Sequence, residues 1–436
     1  MAGALTPTSN RSLAEEQPVL EAASLSPAAH IAILLVVTGL LLTRRPDAFF
    51  NPQFWAEDGS DWFAQAHSLG PWVPFRMPNT GYLQTISRLV AAISIYFPLR
   101  YAPTVFNFFA LLAQLAPLSV LLSARASTLA RLPARLFFGL LYVCLPNSFE
   151  IHMNVTNAQW HLAFLFFLVL ILPSSDRPWR VFDWVVIVIA GLSGPFSFLL
   201  VPVAWLLWWE RRLRLSKALA VSACAAVQVA AFLSMGGTPR DHGPMGASIG
   251  AFSRVIGGQV VIGSLLGQGG LEHLNTHPHF ARYVFFALTI AAFGALCLTA
   301  FRGSIEHKAF VAFAAMILAA TLCSPNGNGT APAWPSLGHP GMSGRYWFIP
   351  MLACLVTLAW LAAGRHPLAM RVPAVVLLLL LPIGVMLDWK YRPFEDFRWR
   401  EHAALVEASA PGTAFEIPIN PPGWKVRLTA RPRSNP

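Results

Sequence analysis

The feature that most constrains this chain is the recurrence of apolar blocks long enough to cross a hydrocarbon core. They run almost from end to end, at roughly 28–43, 102–123, 134–147, 158–173, 182–194, 196–209, 218–235, 280–301, 308–323, 346–363 and 372–387. A helix of about 20 residues crosses the ~30 Å core of a bilayer. Within lipid a helix satisfies its backbone groups inside its own segment. The pair at 182–194 and 196–209 is short for two crossings and is broken by Ser193-Gly194-Pro195, so it suits either a thin-membrane hairpin or a re-entrant element. Charged residues make up only 12% of the 436 positions, against about 25% in a soluble domain. The expected fold is all-α: a polytopic membrane protein of about eleven transmembrane helices.

Charge placement orients the bundle. The net charge of +11 sits in short runs between apolar blocks, such as Arg125, Arg131 and Arg135, or Arg211, Arg212, Arg214 and Lys217. That pattern marks cytoplasmic loops, and nucleic-acid binding is not expected, because no basic stripe interleaves with aromatics. Segment 81–98 carries Gln84, Arg88 and Ser94 on one side and an apolar stripe on the other, which suits a helix lying in the interface. With 81–98 flat, the basic loops 124–135, 174–181, 210–217, 302–308 and 364–371 all share the side of the amino terminus.

The expected organisation is then a disordered cytoplasmic tail at 1–27, a membrane core at 28–387 and an extracytoplasmic tail at 388–436. Arg44 and Arg45 fall outside, a mild violation of the charge rule. The outer face collects loops 44–101, 148–157, 236–279 and 324–345. Ile249–Leu266 is a further Gly-punctuated stretch suited to resting on the membrane, whereas Arg240-Asp241-His242 suits a solvated turn. The polar amino terminus lacks a basic region before the first block, so an uncleaved first span is expected. Arginine far outnumbers lysine, which occurs only at 217, 308, 390 and 425; this composition suggests a GC-rich bacterial genome. The five cysteines lie in or beside apolar blocks and form no metal-ligand spacing, so neither metal nor cofactor is expected.

Chemistry concentrates in the outer loops. The densest acidic cluster is Trp55-Ala56-Glu57-Asp58-Gly59-Ser60-Asp61-Trp62. Aromatic flanks and neighbouring like charges raise a carboxylate's proton affinity, which suits a general base acting on a hydroxyl; a helix N-cap with solvated acids is the plainer alternative. Glu57 and Asp58 are adjacent and project from different helical faces, so one of them is expected to meet a substrate. Glu150, His152, Asn154, Asn157, Gln159 and Trp160 crowd the 148–161 region, polar density that is costly beside apolar spans unless it faces a watery cavity. Arg345 opens the 346–363 block beside Tyr346 and is placed to grip a phosphate or to anchor at the interface.

An acidic motif in the first outer loop of a many-span protein resembles the GT-C class of glycosyltransferases. Trp55-Ala56-Glu57-Asp58-Gly59 also resembles a motif of a bacterial group of multi-pass proteins. So do Gly81-Tyr82-Leu83, Asn154-Val155-Thr156-Asn157-Ala158-Gln159-Trp160, Ser343-Gly344-Arg345-Tyr346 and Ile419-Asn420-Pro421-Pro422-Gly423-Trp424. The GT-C resemblance implies an Asp or Glu of this loop as catalytic base, here Asp58 with Glu57 as alternate. It implies a polyprenyl-phosphate-sugar donor, a glycan or lipid-linked acceptor, and residence in the bacterial cytoplasmic (inner) membrane among its lipids. Arg345 and Tyr346 would then hold the donor, with Glu150, His152, Asn154, Asn157 and Trp160 shaping the pocket. The adjacent acids depart from an Asp-x-Asp pattern, which favours metal-independent transfer. The rival is a non-enzymatic transporter or assembly factor for lipid-linked polysaccharide. It ranks second because the spans carry almost no charge and no repeat is visible.

Overall fold

The computed structural model describes residues 25–174, 176–235, 243–325 and 330–431. Residues 1–24 of the expected tail and the Arg240-Asp241-His242 turn lie outside the described residues. The protein is a polytopic helical membrane protein. Among the described residues, eight helices are long and apolar enough to cross a membrane: Pro27–Arg44, Leu99–Leu122, Leu215–Ser234, Ile249–Asn275, Pro278–Arg302, Ile305–Cys323, Gly344–Ala363 and Leu368–Asp388. The expected blocks 134–147, 158–173, 182–194 and 196–209 form the shorter helices Leu132–Val143, Ala158–Ile171, Arg177–Gly191 and Phe196–Trp209. Helix starts follow local rules. Ser26, Asp176 and Ser304 each accept the amide three residues on, and prolines occupy the first turns at 27, 178 and 278.

Contacts sort the helix ends into two layers. At one, the Arg44 guanidinium donates to the carbonyls of Val143 (2.9 Å) and Leu145 (3.2 Å), joining the C-terminal ends of two helices. Asp388 closes the last helix in the same layer by accepting the amides of Asn147 (2.9 Å), Gln268 (2.6 Å) and Gly269 (3.2 Å). At the opposite layer Asp183 pairs with Arg125 and Lys217. Helix Leu132–Val143 joins the two layers: Arg135 near its start donates to Ser123 O, and Val143 at its end accepts from Arg44.

Arg44 and Arg45 prove to be staples. Both are buried. Arg44 lies over Trp389 and Tyr391, at 5.1 and 4.5 Å from the ring centres, and Arg45 lies over Phe394 at 4.2 Å. Cations at helix C-terminal carbonyls meet the negative end of the helix dipole. Their charge is consumed inside the protein.

Helix Ile249–Asn275 contacts the Asp388 layer along its length. Phe252 packs on Trp334, Gln259 hydrogen-bonds with Asn147 and the His339 carbonyl, and Gln268 meets Asp388. A turn with Gly267 at φ +69° redirects the helix there. It also packs along Pro278–Arg302, where Phe252 meets Phe293 at 6.1 Å.

The 81–98 segment contains helix Thr85–Ser94, which also lies on this layer: Thr85 N donates to Leu192 O, and Leu99 N to Glu407. Its facing differs from simple interface amphipathicity. Gln84, Arg88 and Ser94 are buried in protein, with Arg88 donating to Gln65 (2.5 Å) and Met77 O (3.1 Å), while Tyr96 is exposed.

The carboxy-terminal segment departs from an all-α fold by one antiparallel hairpin, Ala414–Ile419 with Trp424–Thr429. With helix Trp399–Ala408 it docks on the first loop. Trp399, Ile417, Ile419, Val426 and Leu428 share a core with Phe54, Trp62, Phe63 and Phe106.

Candidate active site

The acidic motif is held open by the carboxy-terminal hairpin. Ala56 N donates to Asn420 O, and Asn420 N donates to Phe54 O at 3.1 Å. Ala56 sits in the left-handed region at φ +42°, a conformation costing on the order of 1–3 kcal/mol that the surrounding structure must hold. Asp58–Phe63 then forms a π-helical turn, a geometry frequent at functional sites. A Cβ on Gly59 would lie 2.8 Å from Ile419 Cδ1 and 3.0 Å from Phe54 Cβ, so a larger residue here would force the hairpin contact to shift.

The two adjacent acids part company. Asp58 is 1% exposed, and its carboxylate accepts from Val155 N (3.0 Å), Thr156 N (2.7 Å) and Thr156 Oγ1 (2.8 Å). Burial pushes it up to about 7, against the pull of those three donors. Expected as the base, Asp58 instead faces the 153–157 loop and lines no part of the cavity described next. Glu57 does line it. The Glu57 carboxylate makes no hydrogen bond or ion pair with another described residue. Burial raises its proton affinity, Arg345 pulls it back, and Asp61 and Glu150 push it further up.

That cavity measures about 660 Å³, inside the ~300–1,000 Å³ range of small-ligand sites. Glu57, Glu150, Arg345 and Tyr346 make its charged side. Arg345 forms an ion pair with Glu150, and its backbone N–H donates to the other Glu150 oxygen at 2.9 Å. Its guanidinium lies 4.9 Å from the Tyr346 ring centre. The opposite side is apolar: Phe198, Leu199, Phe232, Met235, Ile317 and Ala320. Phe232 and Met235, at the carboxy-terminal end of Leu215–Ser234, are partly exposed.

The remaining expected residues divide by position. Asn157 and Trp160 line the cavity; Trp160 packs edge-on to Phe196 and Tyr346 at 4.8 and 5.5 Å. Asn154 and Asn157 both donate to Glu150 O (2.7 and 2.9 Å) and brace the loop that carries Glu150. His152 does not reach the cavity. It is buried beside Arg45 and packs 5.1 Å from Tyr391, and burial, then the nearby arginines, keep it neutral, well below the usual histidine range.

Two wall residues, Asn79 and Thr80, have no clear signal in the sequence, whereas Tyr82, Thr156 and Trp424 lie in the motif segments. Asn79, Thr80, Tyr82, Thr156 and Trp424 line the cavity beside Gln84 and Gln159. Gln228, deep in a span, fixes this wall: its Oε1 accepts Leu83 N (2.8 Å), and its Nε2 donates to Gly194 O (3.0 Å). Gln84 Oε1, Gln159 Oε1 and Trp160 Nε1 have no protein partner among the described residues. A polar side chain in a span beside a turn was the available clue for Gln228.

No family model matches the sequence, and no curated protein matches it. Among solved structures, an Archaeoglobus fulgidus oligosaccharyltransferase aligns with 88% of this chain at 11% identity and a TM-score of 0.38. The alignment covers 57% of that enzyme, so this chain spans little more than half its length. A likeness of this degree leaves function to be argued from the site.

Proposed function

We propose that this protein is a metal-independent membrane glycosyltransferase of the GT-C type, transferring a sugar from a polyprenyl-phosphate donor to an acceptor outside the bacterial cytoplasmic membrane. The observation that carries this reading is one cavity lined by the Glu57 carboxylate, which pairs with no other described residue, by the cation Arg345, and by the apolar side chains of Phe198, Leu199, Phe232 and Ile317. A lipid-linked phosphate needs that combination: an apolar path for the chain and a fixed positive group for the headgroup.

In this reading Glu57, not Asp58, is the base. It takes the proton of the acceptor hydroxyl as that oxygen attacks the anomeric carbon from the face opposite the leaving group. The bond from that carbon to the phosphate oxygen breaks, its electron pair stays on the phosphate, and Arg345 stabilises the charge that develops there. The anomeric centre inverts, Glu57 keeps the proton, and polyprenyl phosphate leaves. Asp58 positions the Thr156 wall, and Asn154 and Asn157 position Glu150. The proposed topology has eleven crossings, the amino terminus inside and the 388–436 segment outside. The joining of the two layers by Leu132–Val143 and the flat placement of Thr85–Ser94 support it.

The test is transfer by purified protein in lipid nanodiscs, using radiolabelled polyprenyl-phosphate sugars of defined headgroup and a cell-envelope glycan fraction as acceptor. Glu57→Gln should cut turnover by about 10²- to 10⁴-fold, the usual worth of a general base, without changing the melting temperature. Transfer that persists in the Glu57→Gln/Asp58→Asn double variant, or wild-type protein that binds no lipid-linked sugar, would overturn the enzyme reading in favour of a transporter or assembly factor.

A further inference from the structure

Trp424 belongs to two concavities at once. It lines the transfer cavity together with Pro421, and it also lines a shallower neighbouring cleft formed by Ser60, Pro422, Gly423, Lys425 and Arg427. Its side chain stands at the tip of the hairpin and is 37% exposed. The hairpin tip itself is fixed, because Asn420 is hydrogen-bonded to the backbone on both sides of Trp55 and Ile419 seats on Gly59. An exposed indole on a rigid tip is not explained by core packing.

We propose that the two concavities form one acceptor groove, with Trp424 as the platform between them, and that the acceptor is a glycan chain of two or more rings. The assignment rests on reading the larger cavity as the transfer site. An indole offers a flat, rigid face with few side-chain torsions to immobilise, which suits the C–H face of a sugar ring. The cavity wall next to Trp424 supplies neutral hydroxyl and amide groups from Asn79 and Thr80, and the outer cleft supplies Ser60. Those groups exchange hydrogen bonds with ring hydroxyls in either direction. In the outer cleft Lys425 and Arg427 both pair with Glu416, and Ser60 donates to Asp61 at 2.8 Å, so the charges balance and uncharged glycans are accommodated. The terminal ring would enter the cavity and bring its hydroxyl to Glu57, while the preceding rings lie over Trp424 and along the outer cleft.

The experiment uses the full chain in nanodiscs on an array of defined mono- to hexasaccharides of bacterial envelope types, with unglycosylated peptides printed as controls. Binding should strengthen as the glycan lengthens from one ring to about three. Trp424→Ala should remove that length dependence and weaken trisaccharide binding about 3- to 10-fold, the range for one aromatic contact. Trp424→Phe should retain most of it, which separates loss of the platform from loss of fold. The array separates this assignment from the transferase reading, because it measures glycan binding with no donor present and no turnover. Length-independent binding, no binding to any arrayed glycan, preference for the peptides, or an unaltered Trp424→Ala profile would each overturn the groove. Each of these results leaves Glu57-dependent transfer, measured separately, as the test of the enzyme.

Discussion

Two ion clusters sit in opposite layers of the bundle and use the same residue types to opposite ends. In one, Asp183 is fully enclosed. Arg125 donates to both its oxygens (2.6 and 3.0 Å), and Lys217 (2.7 Å) and Ser174 complete the set. Two further contacts tie the cluster to backbone: Arg125 also donates to Leu172 O, and Lys217 to Val169 O, at the carbonyl end of Ala158–Ile171. In the other, Arg345 and Glu150 pair at a cavity wall, and Glu57 lines the same cavity, pairing with no other described residue. The difference is completeness. A charge whose partners are all supplied by protein holds elements together, and one left short of partners at a cavity is available to a ligand.

The comparison breaks most sharply at Asp183. Asp183→Ala leaves two cations buried without their anion, which should destabilise the protein by about 3–5 kcal/mol, read as a lower thermal midpoint in detergent. Transfer per folded molecule should change little, the reverse of Glu57→Gln. If Asp183→Ala instead melts normally but fails to transfer, the enclosed cluster is not structural and the contrast collapses.

Arg345→Ala comes next. Losing a charged contact to the donor phosphate should weaken donor binding by about 10- to 100-fold, from ~1.5–3 kcal/mol per charge-assisted hydrogen bond. The rate at saturating donor should fall less. An unchanged donor affinity, measured with the same lipid-linked sugar, would assign Arg345 to bracing Glu150 alone.

Asp58 should show the smallest effect, and a pH signature. Its folded-state affinity for a proton is raised from 3.8 to about 7, chiefly by burial. The native state therefore binds more protons than the unfolded chain between those values. The stabilising contribution is fully present below about pH 4 and is lost as pH climbs through about 7. Asp58→Asn, which cannot titrate, should flatten that part of the melting curve against pH and lower turnover by no more than about 10-fold, through Thr156. A loss as large as that of Glu57→Gln would return the role of base to Asp58.

Much of the molecule was legible in the chain because the signals were local. Apolar blocks, capping residues and first-turn prolines specify helices through contacts within a few residues, so the expected blocks all appear as helices. The acidic motif, the Asn154–Trp160 run and Arg345 were likewise visible as polar groups beside apolar spans, where burial without purpose is costly. Partner choice was not visible. Nothing in Arg44-Arg45 announces that both guanidiniums turn inward onto helix carbonyls and the Trp389–Phe394 rings, or that Asp183 meets cations 58 and 34 positions away.

Sequence by itself determined that this is a helical membrane protein with an acidic motif just after its first span, because hydropathy and helix caps act over one or two turns. Tertiary structure alone decided which of two adjacent carboxylates faces the cavity. Neighbouring residues on a helix point about 100° apart, and the choice was made by distant groups: the Val155 and Thr156 amides that claim Asp58, and the Asn420 backbone that fixes the turn of Ala56 and leaves Glu57 facing Arg345.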